Sequence, residues 1–565
     1  MCSGKSHFGL CRGRSSRPGK GVSMVPISLV DTRQSISRKP PGCPPRAPTT
    51  SSLEPSRPEV VVSSLALNGL ESLPLCVHVH LEPGSNSVRI LGLAEPRVRE
   101  TRARLHAALR ALGRKPPAGR ITVRFELGQT APRGLEPSAA NDVAVVIGVL
   151  ATSESFNLAR LRGTAFVGEI SLSGTLRGVR GALPMVRGAG ALGFARVVFP
   201  QANALEVSVC HGIRTDFVSE LRNLVAHLED GRDLKRASEV SAGIVLDGYD
   251  FSDIPGPPIV RRALEIAAAG RHGLLLVGPP ESGKLSWARR LPGILPDFGR
   301  EEALDVTSIH SVAGLLGPEG RLLTTAPFRA PHSSVSPVGL VGGGVPVRPG
   351  EVTLAHHGVL VLDQVLDFRA STLSQLSDVL RNGEVAVFRA DVQTRFPARP
   401  LLVCTANPCP CARRDEDDCV CTPDLRDRYC AGLDGLFPDR LDIRVALHPL
   451  DAANPRIWES KESSAIVRGR VTTAQSAQRI RAKKLGTAAT NGMLALSDVK
   501  RVAILDVQGS HIFSVASTRL GFTDLAGVRV LRVARTIADL AESESVLAPH
   551  LLEALELTRS LVQTG

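Results

Sequence analysis

The stretch Leu274–Ser286, LLLVGPPESGKLS, sets a short apolar run ahead of a glycine loop that ends in a lysine. Leu274–Val277 reads as a buried strand. Gly278-Pro279-Pro280-Glu281-Ser282-Gly283-Lys284 then fits G-x-x-x-x-G-K. In such a loop successive backbone N–H groups wrap phosphates, and the lysine ammonium neutralises the outer ones. An ordinary glycine-rich strand-to-helix turn has the same outline, so this stretch alone leaves both readings open. Two residues depart from the phosphate pattern. The position after the lysine calls for a Ser or Thr hydroxyl on Mg²⁺, and Leu285 has none. Ser286 comes one place late, turned away by a helical step of ~100°. Glu281 puts a carboxylate into an anion loop, where a like charge ~5 Å away costs roughly 3 kcal/mol before screening.

Two further polar residues follow apolar runs that read as strands. Asp363 succeeds Val359–Leu362 in HHGVLVLDQ, and Asn407 follows the run Leu401–Thr405 in LLVCTAN. In an open parallel sheet ligands sit beyond the carboxyl ends of the strands, so loop, Asp363 and Asn407 are expected to share one crevice.

The chain around these residues has 565 residues and 43% hydrophobic content, enough for three or four domains with real cores. It contains no run of eighteen or more apolar residues, so no membrane span is expected. The net charge of +13 is uneven: residues 1–58 hold ten Lys/Arg against Asp31 and Glu54, which leaves about +5 for the rest. Charge alone is therefore a weak argument for nucleic-acid binding.

Residues 1–57, rich in Arg, Ser, Gly and Pro, read as a disordered basic tail. A transit peptide, or a natural start at Met24 or later, fits the same composition. From 58 to 232 strands alternate with helices, among them an amphipathic helix over Glu95–Leu112 and a helix over Ala139–Leu150, which reads as an α/β domain. A linker is expected at 233–249, the phosphate-loop core at 250–450, and helices from 451 to 565, notably Val528–Glu544 and Pro549–Leu561.

The run RRALEIAAAGRHGLLLVGPPESGK, then LPGILP, HSVAGLL, APFRAPH, LVGGG, RPGEVTLAHHGVLVLD, FPAR, ANPCPC, PDRLD and RVARTIADLA, resembles in order and spacing the Mg-chelatase-like AAA+ ATPases of the ComM (YifB) type. The resemblance covers roughly residues 58–565. It implies an α/β protein with a Lon-protease/S5-like N-terminal domain, an AAA+ P-loop parallel-sheet domain and a C-terminal helical lid. VGEISLSGTLRGVRGALP carries the likeness to the Lon/S5 type. Ser138 loosely matches the nucleophile's setting there, but the position for the lysine partner falls at about Leu183, so proteolysis is not expected.

By the same resemblance Lys284 contacts the β/γ-phosphates of ATP, Asp363 holds Mg²⁺ and Asn407 orients the attacking water. Arg440 becomes an arginine finger reaching a neighbouring subunit, and Arg529 or Arg532 a lid-side sensor; each arginine also fits a solvated or salt-bridged surface role. The family's catalytic glutamate is replaced by Gln364, whose amide cannot take a proton from water as a carboxylate does. A second family histidine is replaced by Ser333. The resemblance implies a cytoplasmic, oligomeric ATPase, as a hexameric or mixed ring, that processes DNA by branch migration in natural transformation. The motif losses leave hydrolysis in doubt and favour one alternative, a non-hydrolysing scaffold subunit of a mixed ring. A magnesium-chelatase motor subunit is a second alternative within the same fold, against which the Lon/S5-like N-terminal domain argues.

Directly after Asn407, Cys409-Pro-Cys411 and Cys419-Val-Cys421 form two C-x-C pairs separated by seven residues. Four thiolates at this spacing can close a tetrahedral Zn²⁺ site; four reduced thiols in a loop are the alternative.

Overall fold

Apolar runs of four to six residues, with β-branched and leucine side chains on both faces, make strands that are stable only when covered on both sides. The computed structural model describes residues 59–152, 156–236, 249–317, 320–389, 391–413, 419–437, 439–447 and 462–559. The basic tail at 1–57 and most of the expected linker lie outside these.

The N-terminal strands are β1 Val60–Asn68, β2 Glu71–Glu82, β3 Ser87–Leu91, β4 Arg120–Leu127, β5 Thr164–Phe166, β6 Arg196–Pro200, β7 Arg214–Val218 and β8 Lys235–Arg236. They form one mixed sheet in the order β8-β7-β6-β5-β1-β2-β4-β3. Helices α1 Glu95–Ala111 and α2 Asp142–Ala151 bury Val98, Leu105, Leu109 and nearly all of α2 in the same apolar cluster. Helix α3, Ala182–Ala189, belongs to a second cluster that also takes in Leu304 from the following module.

The central sheet is parallel throughout. It consists of β9 Gly273–Val277, β10 Phe328–Arg329, β11 Val359–Leu362, β14 Leu401–Ala406 and β15 Leu441–Ala446, in the order β10-β11-β14-β9-β15. A hairpin of β12 Glu384–Arg389 and β13 Val392–Pro397 stands apart from it. Because β14 lies between β9 and β11, the ends of three adjacent strands deliver the loop, Asn407 and Asp363 side by side. Helix α4, Pro258–Gly270, covers one face with Val260, Leu264 and Ile266, and α5, Lys284–Ala288, starts on the glycine loop. Trp287 of α5 is 2% exposed, meets Phe251 edge-on with centroids 6.2 Å apart, and carries the Arg261 guanidinium 5.2 Å from its ring. Gly256 is required beside it, since a Cβ there would lie 2.4 Å from the indole.

Several polar contacts brace the first module on the second, among them two that involve the ends of its elements. Arg187 of α3 pairs with Asp305 at 2.9 Å on α6, Arg300–Ala313, while Asn68 at the end of β1 donates to Gln393 O at 3.0 Å in the hairpin. On the opposite side come α8 Ser464–Leu485, α9 Asp524–Leu540 and α10 Ala548–Leu557, which share their apolar core with α4 and the sheet. Helix α9 starts four residues before the apolar periodicity does, because the Thr523 hydroxyl caps the N–H of Ala526 at 3.2 Å. Gln475 and Gln478 of α8 donate to Ala268 O and Ala269 O at 2.9 and 3.1 Å, tying these helices to the end of α4. No helix among the described residues is long and apolar enough to cross a membrane.

Trp287→Ala is expected to open a cavity between α5 and the Phe251 segment and to cost ~3–5 kcal/mol. Urea unfolding followed by far-ultraviolet circular dichroism checks this; an unchanged midpoint for the central module would contradict the packing role.

Candidate nucleotide site

The glycine loop turns sharply after β9, and Gly283 at φ 77° makes the left-handed step that starts α5. Gly278 allows a close approach: a Cβ there would meet Ser282 Oγ at 2.7 Å and Leu447 O at 2.8 Å. Ser282 is buried and donates to Pro279 O at 2.8 Å, closing the loop on itself.

Lys284 is only 6% exposed, and its Nζ donates to Gly278 O at 2.5 Å, Pro279 O at 2.8 Å and Asn407 Oδ1 at 3.3 Å. These acceptors are neutral. Burial lowers the lysine's pKa from its ordinary value, and the nearby Asp363 carboxylate opposes that shift. A buried ammonium with neutral acceptors in a glycine-lined turn fits an anionic ligand, whose charge would supply the missing compensation.

Asp363 and Asn407 arrive from β11 and β14. Asn407 Oδ1 also accepts from Gln364 Nε2 at 3.2 Å, so one amide oxygen joins the lysine to the residue after Asp363. Gln364 has a left-handed backbone, φ 51°, uncommon for a residue with a side chain and here held by the strand end. The structure thus brings together Lys284, Asp363, Gln364 and Asn407.

Thr405 holds this arrangement, a role that strand propensity alone did not reveal. Its hydroxyl is fully buried, donates to Asp363 Oδ1 at 2.5 Å and accepts from Gln364 N at 2.9 Å. The signal was available as a lone hydroxyl inside the otherwise apolar run LLVCTA. Buried polar groups need partners, and Thr405 has two.

Leu285 packs against the apolar cluster beneath α5 and Ser286 is exposed. Glu281 is exposed at φ 67°, so solvent screening reduces the repulsion that its sequence position suggests. Pro279 and Pro280 complete the loop, and nothing in the structure accounts for Ser333.

The three arginines lie elsewhere. Arg440 precedes β15, at the end of the parallel sheet opposite the loop, and donates through Nη1 to Met493 Sδ at 2.9 Å and through Nη2 to Arg381 O at 3.1 Å. Arg532 donates to Leu494 O and stands 3.9 Å from Asp442, near the same amino end of β15. Burial lowers the pKa of Arg529 while Asp442 opposes it. Ser138 of the first module caps the turn Ala139–Asn141, accepting from Ala140 N at 3.2 Å, and Leu183 is fully buried in α3.

The four cysteine sulfurs all lie within 4.8 Å of one another. Cys411 and Cys409 are each close to Cys419, at 3.7 and 3.6 Å, and Cys409 and Cys411 are 3.1 Å apart. Four sulfurs bound tetrahedrally at ~2.3 Å from zinc stand ~3.8 Å from one another, so the donor set fits that ion. Cys404 and Cys430 are not part of the cluster.

Residues 250–454 match the family described as magnesium chelatase, subunit ChlI; residues 77–203 match subunit ChlI of Mg-chelatase, and residues 461–558 its C-terminal part. An uncharacterised protein of Mycobacterium tuberculosis is 36% identical over 504 residues, covering 89% of this chain and 98% of its own. The YifB protein of Escherichia coli is 34% identical over 498 residues, 88% and 96% of the two chains. The competence protein ComM of Haemophilus influenzae is 34% identical over 506 residues, again 88% and 96%.

Thr405→Val keeps the shape but removes both hydrogen bonds, leaving Gln364 N–H without its acceptor. It is expected to destabilise the central module by ~1–3 kcal/mol in urea unfolding, with Thr405→Ser costing less. Equal effects of the two substitutions would contradict the hydroxyl's role.

Proposed function

Since the chain belongs to the ComM/YifB family of Mg-chelatase-like AAA+ proteins, we propose that it binds ATP with Mg²⁺ at the Lys284 loop and hydrolyses it slowly. The observation that carries this reading is the buried Lys284 ammonium beside Asp363 and Asn407, with an amide at Gln364. Lys284 and the loop N–H groups hold the phosphates, Asp363 serves the metal, and Asn407 orients the groups around the terminal phosphate. Mg²⁺, when bound, neutralises charge on the phosphate oxygens. Leu285 offers it no ligand and Gln364 cannot accept the proton of an attacking water.

In domain terms, we read 58–232 as the Lon/S5-like module, 250–450 as the AAA+ core and 451–565 as the lid. We read Arg440, which lies at the far end of the sheet from its own loop, as an arginine finger for a neighbour's nucleotide in a ring of like or mixed chains. The name of the Haemophilus influenzae relative, a competence protein, supports a role in competence, and we extend this to DNA processing during natural transformation in the cytoplasm. Gln364 and Leu285 together favour a second reading, in which this chain is the non-hydrolysing scaffold of a mixed ring. The cysteine cluster is read as a Zn²⁺ site.

The two defects act on one chemical step, so repairing either alone recovers little. A missing base typically costs 10²–10⁴-fold. Gln364→Glu alone is expected to stay nearly inactive, and Leu285→Thr combined with Gln364→Glu to exceed both single changes in steady-state phosphate release. Rapid hydrolysis by the unmodified protein, abolished by Lys284→Ala, would show a working motor instead. Freshly purified reduced protein is expected to hold about one zinc per chain and to lose it on Cys411→Ser; elemental analysis without zinc would end that reading.

A further inference from the structure

The cysteine cluster is wired into the nucleotide site at both of its ends. Cys409 is 6% exposed and follows Asn407 by two residues, so the first thiol pair is joined to the amide that bonds Lys284. Two residues beyond Cys421 begins α7, Pro423–Asp434. That helix returns to the starting strand, because Tyr429 packs against the apolar cluster that holds Leu402, Cys404 and Ala406 of β14. Its last residue, Asp434, binds Arg444 of β15 through both its carboxylate and, at 3.2 Å, its carbonyl. The chain then closes on Phe437 O, which accepts from Arg440 N at 2.8 Å and Leu441 N at 3.0 Å.

Asn407 has little else to fix its position. Its two side-chain contacts share one oxygen and are long, 3.3 Å to Lys284 and 3.2 Å to Gln364. A displacement of a few tenths of an ångström carries either past a useful hydrogen bond. Thr405 steadies the neighbouring Asp363, whereas past Ala406 the chain leaves the sheet.

We propose that the four cysteines, closed on one zinc ion, act as a staple that positions Asn407 against Lys284 and joins it through α7 to the segment carrying Arg440, so that the phosphate site is formed fully only when the metal is bound. This rests on the nucleotide and zinc readings above. The sheet brings Asn407 within reach, and the metal then holds it at hydrogen-bonding distance, as outer-shell groups orient the residues they support. Four thiols without a metal are free to separate, and a loop freed of its cross-link regains the conformations that closure removes.

The test uses the full chain, purified reduced with its zinc, then stripped with a high-affinity chelator, then reloaded with zinc alone. Two readouts are taken at each stage: amide hydrogen exchange at 402–407 and 281–284, and affinity for a fluorescent ATP analogue. Stripping is expected to raise exchange in both segments and to weaken the analogue ~10-fold, the scale of one hydrogen bond to a charged group; reloading restores both. Tyr429→Ala, which removes the packing of α7 beneath β14, is expected to keep its zinc yet raise exchange at 402–407, which separates the staple from metal loss. Protein that carries zinc but shows unchanged exchange after stripping overturns the staple and leaves the zinc reading standing. Protein that never carries zinc overturns both. Should the analogue fail to bind at any stage, the nucleotide reading fails and the exchange data alone decide the staple.

Discussion

Lys284 brings a positive charge into a place that is 6% exposed, where its hydrogen-bond acceptors are two loop carbonyls and one amide oxygen. Burying an ammonium without a hydrogen-bonded anion is costly, and the protein accepts that cost at the end of a strand buried on both faces. Everything near it follows from this constraint. Gly278 and Gly283 let the loop fold tightly enough to supply the carbonyls, β14 inserted beside β9 brings Asn407 within reach, and Thr405 aims the one nearby carboxylate without letting it pair directly.

The surrounding modules keep this arrangement rigid. Trp287 locks the helix that leaves the loop. At the other end of the sheet, fully buried His272 bridges Asp442 and Thr536, with 2.7 Å contacts on both ring nitrogens. Thr536 and Asp539 both accept from Asn491, and Asp539 also binds Arg481 and Arg535. This polar chain fastens the C-terminal helices to the strand that begins beside Arg440. A tilt of those helices therefore has to move Asp442 or break a buried hydrogen bond, which couples the far end of the sheet to the lid.

Three of the five central strands, β9, β11 and β14, were legible because short apolar runs bounded by glycine and polar residues leave few alternatives, and their observed spans differ by at most a residue from those expected; β10 and β15 were not among the expected strands. The fold class follows from the same runs together with the resemblance. Convergence of the loop, Asp363 and Asn407 was legible from strand polarity alone. Thr405 was not, because a β-branched residue in a strand looks like propensity. The partners of Arg532, Leu494 and Asp442, come from separate elements, and no periodicity along one helix reports such pairings. Thr523 as the cap of α9 could have been read from its position before Asp524, but the apolar pattern drew the boundary later.

In this account a nucleotide site has kept its charge and its loop while losing two groups that drive turnover. The most direct test mixes a trace of radiolabelled ATP and Mg²⁺ with excess unmodified protein, and follows in one reaction how much nucleotide is retained and how much is cleaved. The account predicts retention that Lys284→Ala abolishes, with the retained ATP still intact after many minutes. Rapid cleavage within that single turnover, or no retention at all, would contradict it.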